Sequence, residues 1–299
     1  MFSHKCGQLG NRLFAFSHFI ATAAAHNHKI VNLSFDEYAR YFSSTSQDIF
    51  CRYPASRSMI KSNKMRHILF MINRLVLKVF RTISFNGSFL HQVVVADLPR
   101  YQFNTGNYLD MATSSFQEEV KKPLIFLFGR FFRDYSNFSK YKGVIRSYFM
   151  PTDEIQHNIE RFIRNARSGA DLLVGVHIRR GDYRQFANGN YFFSPPNYAE
   201  KMKELAANEP SKKIRFVICS NEAIDTSVFA QHDFLIGPGH LVEDMYILAG
   251  CNFIFGTPST YTRWASFYGN VPLYQIEDLG KAIRLSDFVI LEDIRLFDF

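Results

Sequence analysis

In residues 175–183, GVHIRRGDY, an apolar run ends in a histidine, two arginines, a glycine and an aspartate. Arg179 and Arg180 can each fork two N–H donors onto phosphate oxygens, a match of shape as well as charge. The stretch GTPSTYTRW, residues 256–264, supplies a second kind of anion ligand. The hydroxyls of Ser259 and Thr260, and the first free N–H groups of a following helix, donate to a phosphate. Together the two stretches have the chemistry of a diphosphate site. Taken singly, each also has a plainer reading: Arg180 and Asp182 as an ion pair closing a loop, Ser259 and Thr260 as a helix cap. His177 fits a hydrogen-bonded core histidine as well as a catalytic base.

Several arrangements are missing. The chain has no Walker A lysine loop, no H-E-x-x-H and no G-x-S-x-G, and no two aspartates stand two residues apart. Arginine and backbone dipoles would then have to neutralise a diphosphate without an obligate metal. His26, His28 and His91 have no metal-ligand spacing, and Cys6, Cys51, Cys219 and Cys251 form no C-x-x-C pair. The cysteines point to a reducing compartment with no structural zinc.

The elements that must position these residues are legible in the second half. Short apolar runs at 172–178, 214–219, 234–236, 252–255 and 271–274 read as strands, with helical patterns between them at 198–207, 242–249 and 261–268. Continuous apolar strands alternating with helices predict a doubly wound α/β sheet, whose ligands bind beyond the carboxyl ends of the strands. That places His177 to Asp182, then Ser220 and Asn221, then Gly256 to Thr260 around one crevice. Near the start, GQLGN at 7–11 forms a glycine turn at the head of a helix carrying Leu13, Phe16 and Ile20, with a strand expected over 29–34. A chain of 299 residues accommodates two cores, with domains expected at 1–160 and 161–299.

The net charge of +8 is local. Residues 49–96 hold eight basic side chains and no acidic one, and the remaining 27 basic residues balance 27 acidic ones. Within that segment the pattern predicts an amphipathic helix over 64–84, with Met65, Leu69, Ile72, Val76, Val79 and Ile83 on one side. A solvated charged face and contact with an anionic membrane or acidic partner are equally compatible with it. No nucleic-acid recognition motif is present. Asn73, Arg74, Lys78 and Arg81 interrupt the most apolar stretch, and no charged leader precedes an apolar core. These features predict a cytoplasmic protein without signal peptide or membrane anchor, peripheral to a membrane if the helix binds one.

GVHIRRGDY, together with GQLGNRLFAF at 7–16, RFVICSNE at 215–222 and EDMYILAGCNFIFGTPSTYTRWASF at 243–267, resembles the α1,2-fucosyltransferase family. It is also similar to the wider group of α1,6- and protein O-fucosyltransferases. The resemblance implies a GT-B fold of two Rossmann-like domains with parallel sheets facing a central cleft. It further implies GDP-fucose bound mainly in the C-terminal domain, an acceptor-side N-terminal domain, no metal or other cofactor, and inverting transfer to a galactoside. By the same resemblance Arg179 would hold the β-phosphate, with His177 beside it and Arg180, Ser220 and Asn221 in the same donor site. Asp244 would accept hydrogen bonds from guanine N1 and N2. Ser259, Thr260 and Tyr261 would line the phosphates and fucose, Gly10 and Asn11 would approach the donor from the N-terminal side, and Asp182 is the candidate base. Arg12 after the turn and the Arg263-Trp264 pair depart from the family pattern. A transferase for another GDP-sugar or linkage, and a non-catalytic nucleotide-sugar or glycan-binding protein, are the competing readings.

Overall fold

A computed structural model describes residues 1, 5, 7–83, 90–94, 108–128 and 131–291. The chain divides into two compact units, Met1–Thr152 and Asp153–Asp298.

The first unit is organised on helix α1 (Leu9–His26), followed by α2 (Ser43–Ser46), α3 (Asn63–Ile83), α4 (Ser114–Glu119), α5 (Tyr135–Lys140) and α6 (Lys142–Tyr148). α1 is apolar nearly all round, so it is buried nearly all round: Leu9, Leu13, Phe14, Phe16, Phe19 and Ile20 are in the core. Phe16 meets Phe35, Tyr148 and Phe149 at ring-centroid distances of 5.5, 5.4 and 5.6 Å, which is one use of the chain's many aromatics. One buried polar hub crosses this core. Thr22 Oγ1 donates to Asp134 Oδ2 at 2.6 Å, and the Asp134 amide donates to His18 Nδ1 at 3.0 Å.

Strands β1 (Ile30–Val31) and β2 (Arg52–Tyr53) pair antiparallel, while β3 (Leu90–Val94) with β5 (Leu124–Phe128), and β4 (Leu109–Asp110) with β6 (Phe132–Arg133), pair parallel. The strand expected over 29–34 shrinks to the two residues of β1. Asn32 and Ser34 bond to each other, Oγ to Oδ1 at 2.6 Å, and this local alternative to a ladder leads into a 3-10 turn over Leu33–Phe35. The basic helix expected over 64–84 is α3, but its apolar side faces outward. Arg66, Phe70 and Asn73 are buried, whereas Ile68, Met71, Ile72, Leu75 and Val76 are exposed.

The second unit opens with α7 (Asp153–Arg167), a helix that contains the expected domain boundary at 160. Then come β7 (Leu172–Ile178), α8 (Pro195–Asn208), β8 (Ile214–Ser220), β9 (Phe234–Ile236), α9 (Leu241–Ala249), β10 (Phe253–Gly256), α10 (Thr260–Gly269) and β11 (Leu273–Gln275). The five strands form one sheet in the order β11-β10-β7-β8-β9, every neighbouring pair parallel. Alternate residues of β7 serve opposite faces: Val174, Val176 and Ile178 join the core with Tyr198, Met202 and Leu205 of α8. On the other face, a Cβ at Gly175 would fall 2.6 Å from Leu248 of α9, so that helix packs directly on the strand backbone. This is the doubly wound α/β arrangement that the apolar runs predict.

Candidate active site

In the order β11-β10-β7-β8-β9 the chain first builds β7, β8 and β9 outward on one side, then returns to add β10 and β11 on the other. The order therefore reverses between β7 and β10, and such a reversal opens a crevice at the carboxyl ends of the two strands. His177 lies in register with Gly256 across that junction. Arg179 follows the end of β7, and Ser259 and Thr260 follow the end of β10, so both anion-binding stretches reach the same crevice.

The β10 side is a helix N-terminus. Ser259 is the N-cap of α10, its hydroxyl accepting from the Tyr261 amide at 3.1 Å. The capping reading of Ser259 is thus correct, and it leaves the other first-turn amides of α10 and the Thr260 hydroxyl at the helix head. Tyr261 lies flat on His177, ring centroids 4.7 Å apart and planes 19° from parallel, while its hydroxyl donates to the Leu241 carbonyl at 2.8 Å. Burial, helped by the charge of Arg179, pushes the His177 pKa down to about 3. His177 is accordingly a neutral ring in an apolar strand end, suited to packing against a ligand rather than carrying a proton at neutral pH.

The two arginines diverge. Arg179 turns its guanidinium to Asp182, Nη2 to Oδ1 at 2.8 Å, and lies over the Tyr183 ring. Arg180 instead donates Nη1 to the Phe193 carbonyl at 3.3 Å and stacks on Phe192, its charge 4.2 Å from the ring centroid. Its backbone amide donates to Asn221 Oδ1 at 2.7 Å, which ties the turn after β7 to the end of β8. The ion pair in this loop is therefore Arg179–Asp182 rather than the Arg180–Asp182 pair weighed from the sequence. Gly181, at φ +60°, is the turn that lets Asp182 swing back to Arg179. Ser220 accepts from the Glu222 amide at 3.3 Å, holding the loop after β8.

Asp244 stands in the first turn of α9, 5% exposed, with Oδ1 accepting from the Gly239 amide at 3.1 Å. Burial raises its pKa to about 7. Burial outweighs the Gly239 hydrogen bond, which favours the charged form, and the carboxyl stands next to the loop after β9. Gly237 in that loop is close by: a Cβ there would lie 2.8 Å from both Asp244 Oδ1 and Cys219 Sγ.

Sequence reasoning passed over Gly237, which carries no functional group, and Tyr183, whose hydroxyl donates to the Pro258 carbonyl at 2.6 Å and so pins the turn after β7 to the loop before α10. A bulky hydroxyl-bearing residue next to the arginine turn is the only signal the sequence offered. The second unit brings together His177, Arg179, Asp182, Ser220, Asn221, Ser259, Thr260 and Tyr261. Gly10 and Asn11 belong to the first unit, in the first turn of α1. There Gly7, at φ +56°, leaves room for the Asn11 side chain, since an added Cβ would overlap it. Among the described residues no group of three or more His, Cys, Asp or Glu could hold a metal ion, and no helix is long and apolar enough to cross a membrane. Cys51, Cys219 and Cys251 are free and buried.

Comparison with known proteins gives a family. The model of glycosyl transferase family 11 matches residues 107–272. No curated protein matches the sequence. Among solved structures, a mutant of Arabidopsis thaliana FUT1 in complex with GDP superposes with a TM-score of 0.56 at 12% identity, over 96% of this chain and 72% of that one. Fucosyltransferase NodZ from Bradyrhizobium gives 0.54 at 16% identity, over 94% and 95%. POFUT1 in complex with GDP gives 0.52 at 12% identity, over 90% and 94%. At these identities the likeness is one of fold.

Proposed function

Because the chain belongs to glycosyl transferase family 11, we propose that it moves L-fucose from GDP-fucose to a hydroxyl of a galactoside, forming an α1,2 linkage with inversion and without a metal. The resemblance read from the four motifs supports this, and three of them fall inside the matched residues 107–272. So do the fold neighbours, which include NodZ, a fucosyltransferase, and POFUT1 in complex with GDP-fucose. The proposed architecture is GT-B, with Gly10 and Asn11 on the acceptor-side domain and the donor held by the C-terminal one.

The observation that carries the reading is that Arg179 follows the end of β7 and the N-terminus of α10 follows the end of β10, two neighbouring strands between which the strand order reverses. Departure of GDP places charge on its β-phosphate, and donors fixed in advance around that charge lower the barrier most. Arg179 and the α10 amides are such donors, and Ser259, Thr260 and Tyr261 line the same wall. Arg180, Ser220 and Asn221 hold the loops that frame it. Asp244 accepts from guanine N1–H and N2–H, its second oxygen being the one not engaged by Gly239. A base that presents an acceptor there, as adenine does, would leave the carboxylate facing a lone pair.

Inversion requires the galactoside hydroxyl opposite the leaving diphosphate. If Arg179 holds the β-phosphate, a carboxylate 2.8 Å from it would stand on the diphosphate side. Asp182 therefore fits the role of orienting Arg179 better than that of base. In the transfer, the acceptor oxygen bonds to the anomeric carbon as the carbon–phosphate oxygen bond breaks and the bonding pair leaves with GDP. The hydroxyl proton passes to solvent water, late enough in an oxocarbenium-like transition state that no strong base is needed.

The test is incubation with GDP-fucose, GDP-mannose, UDP-galactose and a panel of β-galactosides, with and without chelator, products read by mass and linkage by NMR. The reading expects a fucosylated galactoside from GDP-fucose alone, undiminished by chelator. Neither transfer nor slow hydrolysis of any GDP-sugar would leave a binding protein instead.

A further inference from the structure

Helix α3 is set the opposite way round from an ordinary surface helix. At about 3.6 residues per turn, Arg66, Phe70 and Asn73 share one face, and all are buried, Arg66 at 2% exposure. Arg66 fixes this orientation through main-chain carbonyls of the preceding loop: Nη2 donates to Thr45 at 3.0 Å and to Ser46, and Nε to Asp48 at 3.3 Å. His67 adds a bond to Asp36 at 3.1 Å. The opposite face carries Ile68, Ile72 and Leu75, with Met71 and Val76 at its edges. All are exposed, Leu75 to 66% and Ile72 to 54%. Met59 and Ile60, just before the helix, are exposed as well. An apolar stripe of this length on the surface marks a contact with something apolar.

The charge around the stripe says what. Lys64, Arg74 and Lys78 flank it on one side, with Lys61 ahead of the helix, and residues 49–96 contain no carboxylate. A second copy of this chain laid on the stripe would set these cations against their own equivalents with nothing from this segment to pair them. A membrane carrying anionic lipid offers both an apolar layer for the stripe and negative head groups for the cations. α3 is too interrupted by charge to cross a bilayer, so it would lie in the plane of the interface. We propose that α3 docks the protein on anionic lipid surfaces, its Ile68–Ile72–Leu75 face sunk below the head groups and Lys64, Arg74 and Lys78 at their level. This is independent of the transferase reading, because binding is read without donor or acceptor.

The experiment is co-sedimentation of the full chain with vesicles of phosphatidylcholine alone and of phosphatidylcholine mixed with phosphatidylglycerol, at low and high salt. The expected result is binding to the mixed vesicles, weak binding to the neutral ones, and loss at high salt. The double variant Ile72→Glu/Leu75→Glu should lose at least about tenfold in vesicle affinity, with the same circular dichroism and melting temperature, since both side chains are already in solvent. Lys64→Gln/Lys78→Gln should flatten the salt dependence. Equal binding of parent and Glu variant, or no preference for phosphatidylglycerol, overturns the proposal. A concentration-dependent dimer in analytical ultracentrifugation that the Glu variant abolishes also overturns it, because a second copy then covers the face.

Discussion

Asp244 and His177 are both buried at strand and helix ends of one sheet, yet burial drives them to opposite sides of neutrality. The His177 pKa is down to about 3, and the Asp244 pKa is up to about 7. Between pH 5 and 8 His177 does not titrate, so any change of GDP affinity in this range belongs elsewhere, with Asp244 as the first candidate. In the proposed donor site, guanine N1–H and N2–H would need the ionised carboxylate. The β-phosphate titrates in the same range in GDP and ADP alike, so it is the preference for GDP over ADP that should fall as pH drops below about 7. Asp244→Asn should abolish both that preference and its pH dependence in calorimetric titrations. The sign for stability is the reverse. A carboxyl whose folded pKa lies above its unfolded one favours the fold below the unfolded pKa and loses that contribution as pH rises through 7. Asp244→Asn should consequently melt higher than the parent at pH 8, where the buried charge is greatest. A variant that gains stability while losing affinity is the mark of a residue kept for its ligand. For Asp182, oriented on Arg179, replacement by asparagine should raise the donor KM and leave the pH profile of kcat unchanged. A collapse of kcat at constant donor KM would restore it as the base. Residue type and position pointed to Arg179 and Ser259 in the sequence, whereas Asp244 came only from the family resemblance. The partner of Asp182 was not legible, because which of two adjacent arginines turns back depends on the left-handed turn at Gly181.

At the scale of elements, the β7–β10 junction frames the proposed site, and its closeness depends on a missing side chain. A Cβ at Gly256 would lie 2.6 Å from the His177 carbonyl oxygen, a backbone atom that cannot step aside. Gly256→Ala should force the two strands apart, lowering stability by about 1–3 kcal/mol in chemical denaturation and weakening GDP binding in the folded fraction. Unchanged stability would mean the strands have more freedom than their register suggests. The sheet of the second unit was legible because both faces of its strands are covered, which writes them as unbroken apolar runs. Its helix and strand ends fall within a few residues of expectation. The first unit gave up less. β1 is two residues long because Asn32 and Ser34 bond locally, and short polar side chains of this kind read the same in a strand edge and in a turn. For α3 the periodicity revealed an apolar face but not what it faces. Arg66, bonded into the carbonyls of Thr45, Ser46 and Asp48, together with the buried Phe70 and Asn73, turns the stripe outward.

For the molecule as a whole, the division of labour follows the division of the chain. The second unit is a parallel five-stranded sheet whose strand order reverses between β7 and β10, where the proposed donor site lies. The first is an aromatic core around α1 that carries Gly10, Asn11 and the basic helix. The surplus positive charge lies in the segment around α3, so a crevice that holds a diphosphate, as proposed, would do so by placement of a few groups and not by a general field. Placement of that kind can be tested at one residue. The most direct measurement is calorimetric titration of GDP into the parent protein and into Arg179→Ala. If the crevice between β7 and β10 is the donor site, GDP binds the parent and the variant loses about 2–4 kcal/mol of affinity with its fold intact. GDP bound equally well by both would place the nucleotide elsewhere and contradict the account.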